Sequence, residues 1–514
     1  MEVLQRTANR GSISTDTGYA IENSIQVNSV TVSDPPRFNR TNSSAGNRKT
    51  FTISFWHKRG ISSHNNTVGY RVLNSIRNES GKYPGLFVFD YRGTPASTQF
   101  LSAFADEDPD NVAEAWFKSD MGFHDYSAWY HIVIAYDTTQ GTASNRRAMY
   151  VNGVEQTYSQ SGDIPQHHQS SWNDDTLHCI GAYEYNLSDA SLGGYLAEVH
   201  NIDGLKLDAT AFGEFDTSGI WKPKEYDGNY GTNGFRLQFK ETGTGQDANG
   251  LGADTSGNNH HFATVGHTAA SQATDTPTNN FCTLMPPQAS ITGTATAVSN
   301  GGTTMISGTT AHQNAFGSMG VRNGKWYFES NVSNLGGVAS YNHFFGVIAA
   351  DRITALNNGS ALQIGGVANT WGFTSNNRGN TGNTENPIFT SESATSGTTE
   401  VMGIALDMDN GKIWVHKAGT YATNNSGVTG NPATGAAPQY DNLLTSTDEH
   451  ILVGGGVYAS NNSVQRDMNF GNPLGHANFT NVGTHSDANG YGSFAYAPPT
   501  GYYALCTKNL AEFG

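Results

Sequence analysis

The chain is poor in the residues that build several common classes of protein. Its 514 residues include three cysteines, Cys179, Cys282 and Cys506. An odd, widely spaced set excludes the evenly paired framework of a small disulfide-stapled secreted domain. Charged residues make up 14% of the chain, against roughly 25% in an ordinary soluble domain. Basic residues are the scarcer kind: 28 Lys and Arg stand against 44 Asp and Glu, for a formal charge of −16. Binding nucleic acid through a basic face needs clustered cations to neutralise phosphate, and none is expected here. No apolar run approaches the ~18–20 residues of a membrane-crossing helix, so no membrane insertion is expected. Heptads, a collagen repeat and a repeated solenoid unit are missing too, which argues for a globular head or cap over a fibrous shaft. Residues 1–10 hold no apolar core of a secretory signal. The expectation is synthesis in a reducing cytosol, with any outward-facing role reached by cell lysis or particle assembly.

What the chain has in quantity is glycine, 60 residues, together with 11% aromatic and 36% hydrophobic residues. Gly and Asn are poor helix formers, while the apolar fraction is enough for a core. Strand-like segments bounded by turn residues recur throughout. Segment 50–57 alternates and puts Phe51, Ile53 and Phe55 on one face. Segments 85–90, 129–136 and 147–151 follow, the last running into Asn152 and Gly153, the signal of a tight hairpin turn. Segments 177–180 and 195–200 continue the series, with one short helical stretch expected near 208–213. Between 241 and 310 the pattern fades into Thr, Ser, Gly and Asn with proline breakers. A second series begins at 324–329 and passes through 343–348 and 370–373. It then reaches a hairpin over 401–415, turning at Asn410 and Gly411, and ends with 450–453 and 467–470. Strands at this spacing without intervening helices predict an all-β fold of two tandem antiparallel β-sandwiches. The expected organisation is an N-terminal segment over 1–20, a sandwich over 21–240, a connector over 241–310 and a second sandwich over 311–510.

Catalytic chemistry is thinly represented. Glycoside hydrolysis needs two carboxylates about 5–5.5 Å or ~6.5–9.5 Å apart, so a strand would show acids at i and i+2. Glu214 with Asp216, and Asp407 with Asp409, have that spacing. The first pair lacks a strand context and the second leads straight into an Asn-Gly turn, so solvated turn acids are the plainer reading. No nucleophile elbow follows a strand, and the cysteines lack the setting of a reactive thiol. No catalytic residue and no enzyme activity are expected. The histidine pairs His167–His168 and His260–His261 would point to opposite faces of a strand. The acidic loop with Asp106, Asp108 and Asp110 holds enough oxygens for Ca²⁺ but lacks the regular spacing of a calcium loop. Asp254 opens a similar turn. No cofactor is otherwise expected.

Binding is better supplied, because aromatic residues cluster in polar loops. Trp172 with Asn173, Asp174 and Asp175 combines a ring face with hydrogen-bonding side chains, and Tyr183 and Tyr185 add two more rings. A sugar is held by that combination. The competing reading is that these rings anchor loops onto the sandwich.

The strand motifs also resemble known families. Residues 129–137 followed by 147–154, with 194–204 as a closing strand, resemble the concanavalin A-like, laminin-G-like lectin/glucanase jelly roll. Residues 324–329, 406–414 and 468–473 resemble a SPRY domain. The joining segments 219–224, 230–235, 254–258 and 275–281, with 503–510, look like a set in virion structural proteins of tailed phages, particularly of aquatic bacteria. That resemblance implies a virion component, made in the host cytoplasm, such as a tail-fibre or appendage head that meets host-surface glycan or protein. Its implied partners are other virion proteins and copies of itself, as a homo-oligomer. A capsid-decorating or tail-scaffold protein and a polysaccharide depolymerase are the alternatives. The clustered strand acids of the glucanase branch are missing, so no catalytic residue is carried over.

Overall fold

The computed structural model describes residues 18–27, 35–59, 72–76, 87–90, 100–104, 116–123, 125–160, 162–182, 192–285, 297–306, 313–335, 343–357, 364–374, 378–381, 384–387, 401–424, 426–443, 450–457, 464–472 and 483–514. The chain is all-β and divides into two compact units between Thr278 and Asn279.

In the N-terminal unit, two antiparallel ten-residue strands, Thr50–Arg59 and Gly194–Asp203, form the centre of one sheet. Trp129–Asp137, Arg147–Val151 and Val154–Glu155 extend it on one side, and Ser24–Val27 and Gln272–Ala273 on the other. The second sheet runs Tyr158–Gln160, Trp116–Ser119, Phe100–Phe104, Phe87–Asp90, Val72–Ile76, Leu177–Ile180, Arg37–Thr41 and Ala263–Val265. The alternation of Thr50–Arg59 sends Phe51, Ile53 and Phe55 between the sheets. They join Ile132, Ile134 and Leu196 from the same sheet and Phe38, Phe117 and Ile180 from the other. Its opposite side chains, Thr52, Ser54, Trp56 and Lys58, are buried as well. Two further apolar clusters cover that face. One joins Trp56, Trp129 and Tyr195 to Ile21 and Ala273, and the other joins Val133 and Ile202 to Phe212, Tyr226 and Tyr230. The central sheet is therefore sandwiched twice, by its partner sheet and by the chain's own segments around 19–21, 207–230 and 273.

Asn152 and Gly153 form the expected two-residue hairpin, with φ of 48° and 79° between paired Val151 and Val154. Both angles are positive, as a type I′ turn requires. Residues 241–310, expected as a connector, hold short strands in both units. Ala263–Val265 pairs with Arg37–Thr41 and Gln272–Ala273 with Ser24–Val27. Ala297–Ser299 pairs with Thr304–Ile306, which pairs in turn with Val464–Asn469.

In the C-terminal unit, one sheet runs Leu284–Met285, Gln313–Val321, Ile451–Val457, His343–Ala349, Thr370–Thr374, Arg378–Thr381 and Thr384–Pro387. The other runs Ala297–Ser299, Thr304–Ile306, Val464–Asn469, Lys325–Leu335, Met402–Asp407, Lys412–Lys417 and Thr420–Tyr421. Tyr503–Ala504 joins Lys325–Leu335 in parallel, and the helix Thr507–Phe513 follows. Phe328 meets Phe345 edge-on between the sheets, at 5.6 Å. On the far side of the second sheet, Tyr327, Ala405 and Trp414 pack with Phe281, Phe494, Tyr502 and Cys506. The Asn410–Gly411 turn differs from its N-terminal counterpart. Asp407 pairs with Lys412, leaving a four-residue loop in which Gly411 has φ of 65°. The Asp407 carboxylate accepts from the Asn410 backbone N–H at 3.0 Å and from its Nδ2, a local turn bond that favours the longer loop.

Candidate functional site

The loop before Leu177–Ile180 carries the residues singled out for glycan contact. Trp172 is 2% exposed and belongs to the core between the sheets; its Nε1 donates to Asn201 Oδ1 at 2.9 Å. Asn173 is buried, donating to the Asn47 carbonyl at 3.1 Å and to Asp203 Oδ1 at 3.2 Å. Asp203 also accepts the backbone N–H groups of Asn47 and Asn233, at 2.7 and 2.8 Å. Burial raises its pKa against those bonds. Asp174 is buried and pairs with Arg48 at 3.1 Å, while Asp175 is exposed. The Trp172 ring is thus spent on the core, and Asn173 ties its loop to Asn47 and to the buried Asp203 carboxylate. Asp175 is the member of this loop left open to solvent. Tyr183, Tyr185, Asp106, Asp108 and Asp110 lie outside the described residues.

The sequence-spaced acids have local duties. Asp216 accepts from Ser218 and Ile220 backbone N–H groups at 2.8 and 2.9 Å and pairs with Lys222 at 3.1 Å. Its pKa falls, because these bonds outweigh burial. Asp409 caps the Gly324 N–H at 2.8 Å, and Asp407 pairs with Lys325 at 3.2 Å. Asp254 accepts from Arg236, Ser256 and His260 backbone N–H groups, so it closes its turn through the protein's own donors. His260 and His261 contact different partners, the Gly234 carbonyl and the Asp254 N–H. Among the described residues, no group of three or more His, Cys, Asp or Glu is placed to hold a metal ion. The three cysteines are buried thiols, and burial pushes the Cys506 thiol up to about 12.

Two buried charge clusters escaped the sequence reading. Glu198 sits at a break in strand register with φ of 50° and pairs with Arg236 at 2.6 Å. Arg236 also reaches Glu225 at 3.2 Å and Tyr19. Burial opposes charge on Glu198, but His200 and Arg236 reverse the balance and hold the carboxyl at about 2. A group kept ionised in this way is unsuited to act as a general acid. Burial also lowers the His200 pKa, so Arg236 is the lasting cation of the cluster. The second cluster joins Lys58 to Asp275 at 2.7 Å, with Trp129 Nε1 donating to the same carboxylate at 3.0 Å.

One aromatic surface of the N-terminal unit is open. Gly213–Phe215 and Trp221–Pro223 form a two-stranded ribbon. The Trp221 ring rests where Cβ atoms on Gly153 and Gly213 would stand, and its Nε1 donates to His131 Nδ1 at 3.0 Å. Ser54 meets the other nitrogen of His131 at 2.8 Å. Burial holds this histidine near 3, neutral and able to accept. Phe215 packs edge-on against Trp221 at 4.9 Å and is 52% exposed. Val154, beside Gly153, is 55% exposed, and Glu155 and Glu214 are exposed close by in sequence. A rigid indole backing an exposed ring offers the apolar stacking face that the Trp172 loop was expected to supply. The signal was the segment 219–224, which carried resemblance and no ligand reading.

A family model described as the concanavalin A-like lectin/glucanases superfamily matches residues 29–205. The match falls within the N-terminal unit and agrees with its paired antiparallel sheets. Comparison with curated proteins gives no match. Among solved structures, the SPRY domain of human HERC1 is similar at 14% identity, covering 34% of this chain and 91% of that one, with a TM-score of 0.25. A heptameric SAP-like pentraxin from Limulus polyphemus has 14% identity, covering 36% and 78%, with a TM-score of 0.27. The TRIM65 PSpry domain has 12% identity, covering 37% and 92%, with a TM-score of 0.24. The superfamily's description names both lectins and glucanases, so fold alone does not separate binding from hydrolysis.

Proposed function

We propose that the chain is a binding protein without catalytic activity, and that its N-terminal sandwich engages surface glycan. The match of residues 29–205 to a lectin-bearing superfamily carries this reading. The chemistry supports it: Asp216, Asp407 and Asp409, three of the four acids with hydrolase-like spacing, are committed to turns and ion pairs. The Phe215–Trp221 surface is the place we assign to the sugar. Motif resemblance adds the biological setting, a phage virion appendage meeting host-surface polysaccharide. There many weak contacts on a multimeric particle would sum to avidity.

The test is adsorption of the purified chain to host envelope polysaccharide, with reducing-end release measured in the same samples. Saturable adsorption without new reducing ends is expected. Sugar release would establish the depolymerase alternative. Absence of adsorption, with recovery of the chain in capsids, would establish the decorating role.

A further inference from the structure

Two buried cations of the N-terminal unit meet a carboxylate at short range, while others, such as Arg146, meet backbone carbonyls. Lys58 meets Asp275 at 2.7 Å and Arg236 meets Glu198 at 2.6 Å. Arg466 bonds to no carboxylate among the described residues. It lies on Val464–Asn469 of the C-terminal unit, fully buried, and pairs in the sheet with Val332 and Met305. Its face of the sheet carries Ser330, Met305 and Met468 and looks toward Phe345 and Gly455 of the opposing sheet. Asp467, its neighbour in the chain, points to the other face, where Oδ1 accepts from Thr304 at 2.6 Å and Gln465 at 3.3 Å.

The pattern of use within the guanidinium is informative. Nη1 donates to Ser330 Oγ at 2.6 Å. Nε and Nη2, both buried, have no hydrogen-bond partner among the described residues. Those two nitrogens form one edge of the planar fork, the edge that takes two oxygens of a carboxylate, phosphate or sulfate side by side. Burial lowers the Arg466 pKa to about 9, which still leaves it cationic at neutral pH. The Asp467 charge offsets part of the burial cost without bonding to the guanidinium, and a buried charge so weakly compensated is costly.

We propose that Arg466 is the receptor for a small oxyanion, taken side-on through Nε and Nη2 while Ser330 holds Nη1. The shared chemistry is a planar or tetrahedral group with two adjacent anionic oxygens. Separate arms with acetate, phosphate and sulfate distinguish an organic carboxylate from an inorganic source. The full-length chain is unfolded thermally in each salt against chloride at matched ionic strength, and the arginine Nε–H resonances are followed in ¹⁵N-arginine-labelled protein. A saturable rise of roughly 3 °C and a shifted Nε–H signal are expected for at least one oxyanion. Arg466→Met removes the charge and the fork while Asp467 keeps its bonds from Thr304 and Gln465, and should fold yet lose the saturable rise. Arg466→Lys keeps the charge but loses the fork, and should lose most of it. General salting effects act on every variant alike. Equal responses in the parent chain and Arg466→Met, or Nε–H signals unmoved by all three anions, would overturn the proposal.

Discussion

Buried carboxylates in the two units are held in different ways. Asp275 and Glu198 of the N-terminal unit meet cations, Lys58 and Arg236. Glu329 of the C-terminal unit meets neutral donors. It is buried and accepts four hydrogen bonds: from Tyr327 Oη at 3.0 Å, Asn469 Nδ2 at 3.1 Å, and the Ala495 and Tyr496 backbone N–H groups at 2.9 and 2.8 Å. His416 supports the chain of bonds from behind. Its Nδ1 accepts from the Gly419 N–H at 3.2 Å, so its Nε2 carries the proton and donates to Tyr327 Oη at 2.7 Å. Gly403 makes this possible, since a Cβ there would collide with the His416 ring. One architecture thus tolerates two solutions to the same problem, and they respond differently to mutation and to pH.

Breaking an ion pair should show the contrast at its largest. Asp275→Asn removes the carboxylate charge that faces the Lys58 ammonium and weakens the bond from Trp129, at an expected cost of about 3–5 kcal/mol. Urea unfolding followed by hydrogen exchange should place that loss in the N-terminal unit. Arg466→Met, which removes a charge with no carboxylate bonded to it among the described residues, should cost the C-terminal unit less than Asp275→Asn costs the N-terminal one. A cost below about 1 kcal/mol for Asp275→Asn would show that the pair behaves like a surface one and dissolve the comparison. Trp172→Ala should cost a similar ~3–5 kcal/mol, because the ring is part of the core.

The pH response sharpens the same contrast at smaller amplitude. Glu198 is held near 2, below its unfolded value, so its contribution is present above about 4.5 and lost as pH falls toward 2. Glu329 is pushed by burial up to about 7 despite its four donors. The folded unit then binds the proton more tightly than the unfolded chain, so this contribution is present below about 4.5 and lost as pH rises through 7. His416, held near 3, acts in the reverse sense, losing stability as pH falls below 6.5. The two partly cancel in the parent chain, and Glu329→Gln separates them. That substitution should cost about 1–3 kcal/mol at low pH and less as pH rises through 7, measured by denaturant midpoints at several pH values. A cost independent of pH would place the Glu329 titration outside this window.

Fold class was readable because apolar alternation survives in the long strands: 50–57 and 129–136 lie within Thr50–Arg59 and Trp129–Asp137. Short strands were less readable. Gln272–Ala273 has two residues and Ala263–Val265 three, too few to show a period, so their stretch read as a connector. Identical turn signals also gave unlike turns. Asn152–Gly153 closed a two-residue loop, while the Asp407 carboxylate drew Asn410–Gly411 into a four-residue one. Burial of Trp172 was undecidable from sequence, since its indole partner, Asn201, sits 29 positions away. The Glu329 cluster is more remote still, with Ala495 166 positions along.

The smallest effect on stability should accompany the largest effect on binding. Phe215 is half exposed and touches Trp221 at its edge, so Phe215→Ala removes little buried area and should change stability by no more than about 0.5 kcal/mol. If the ring is a sugar platform, its loss removes a stacking contact that Trp221, edge-on and partly covered, cannot replace. Adsorption to envelope polysaccharide should then fall about tenfold or more, the equivalent of ~1.4 kcal/mol, with the melting curve unchanged. Trp172→Ala tests the alternative from the other side: at temperatures where the variant stays folded, a ring locked in the core should leave adsorption near that of the parent chain. Reversed results, with Phe215→Ala adsorbing normally and folded Trp172→Ala failing to adsorb, would return the glycan site to the loop before Leu177–Ile180. They would also require that loop to open before it binds.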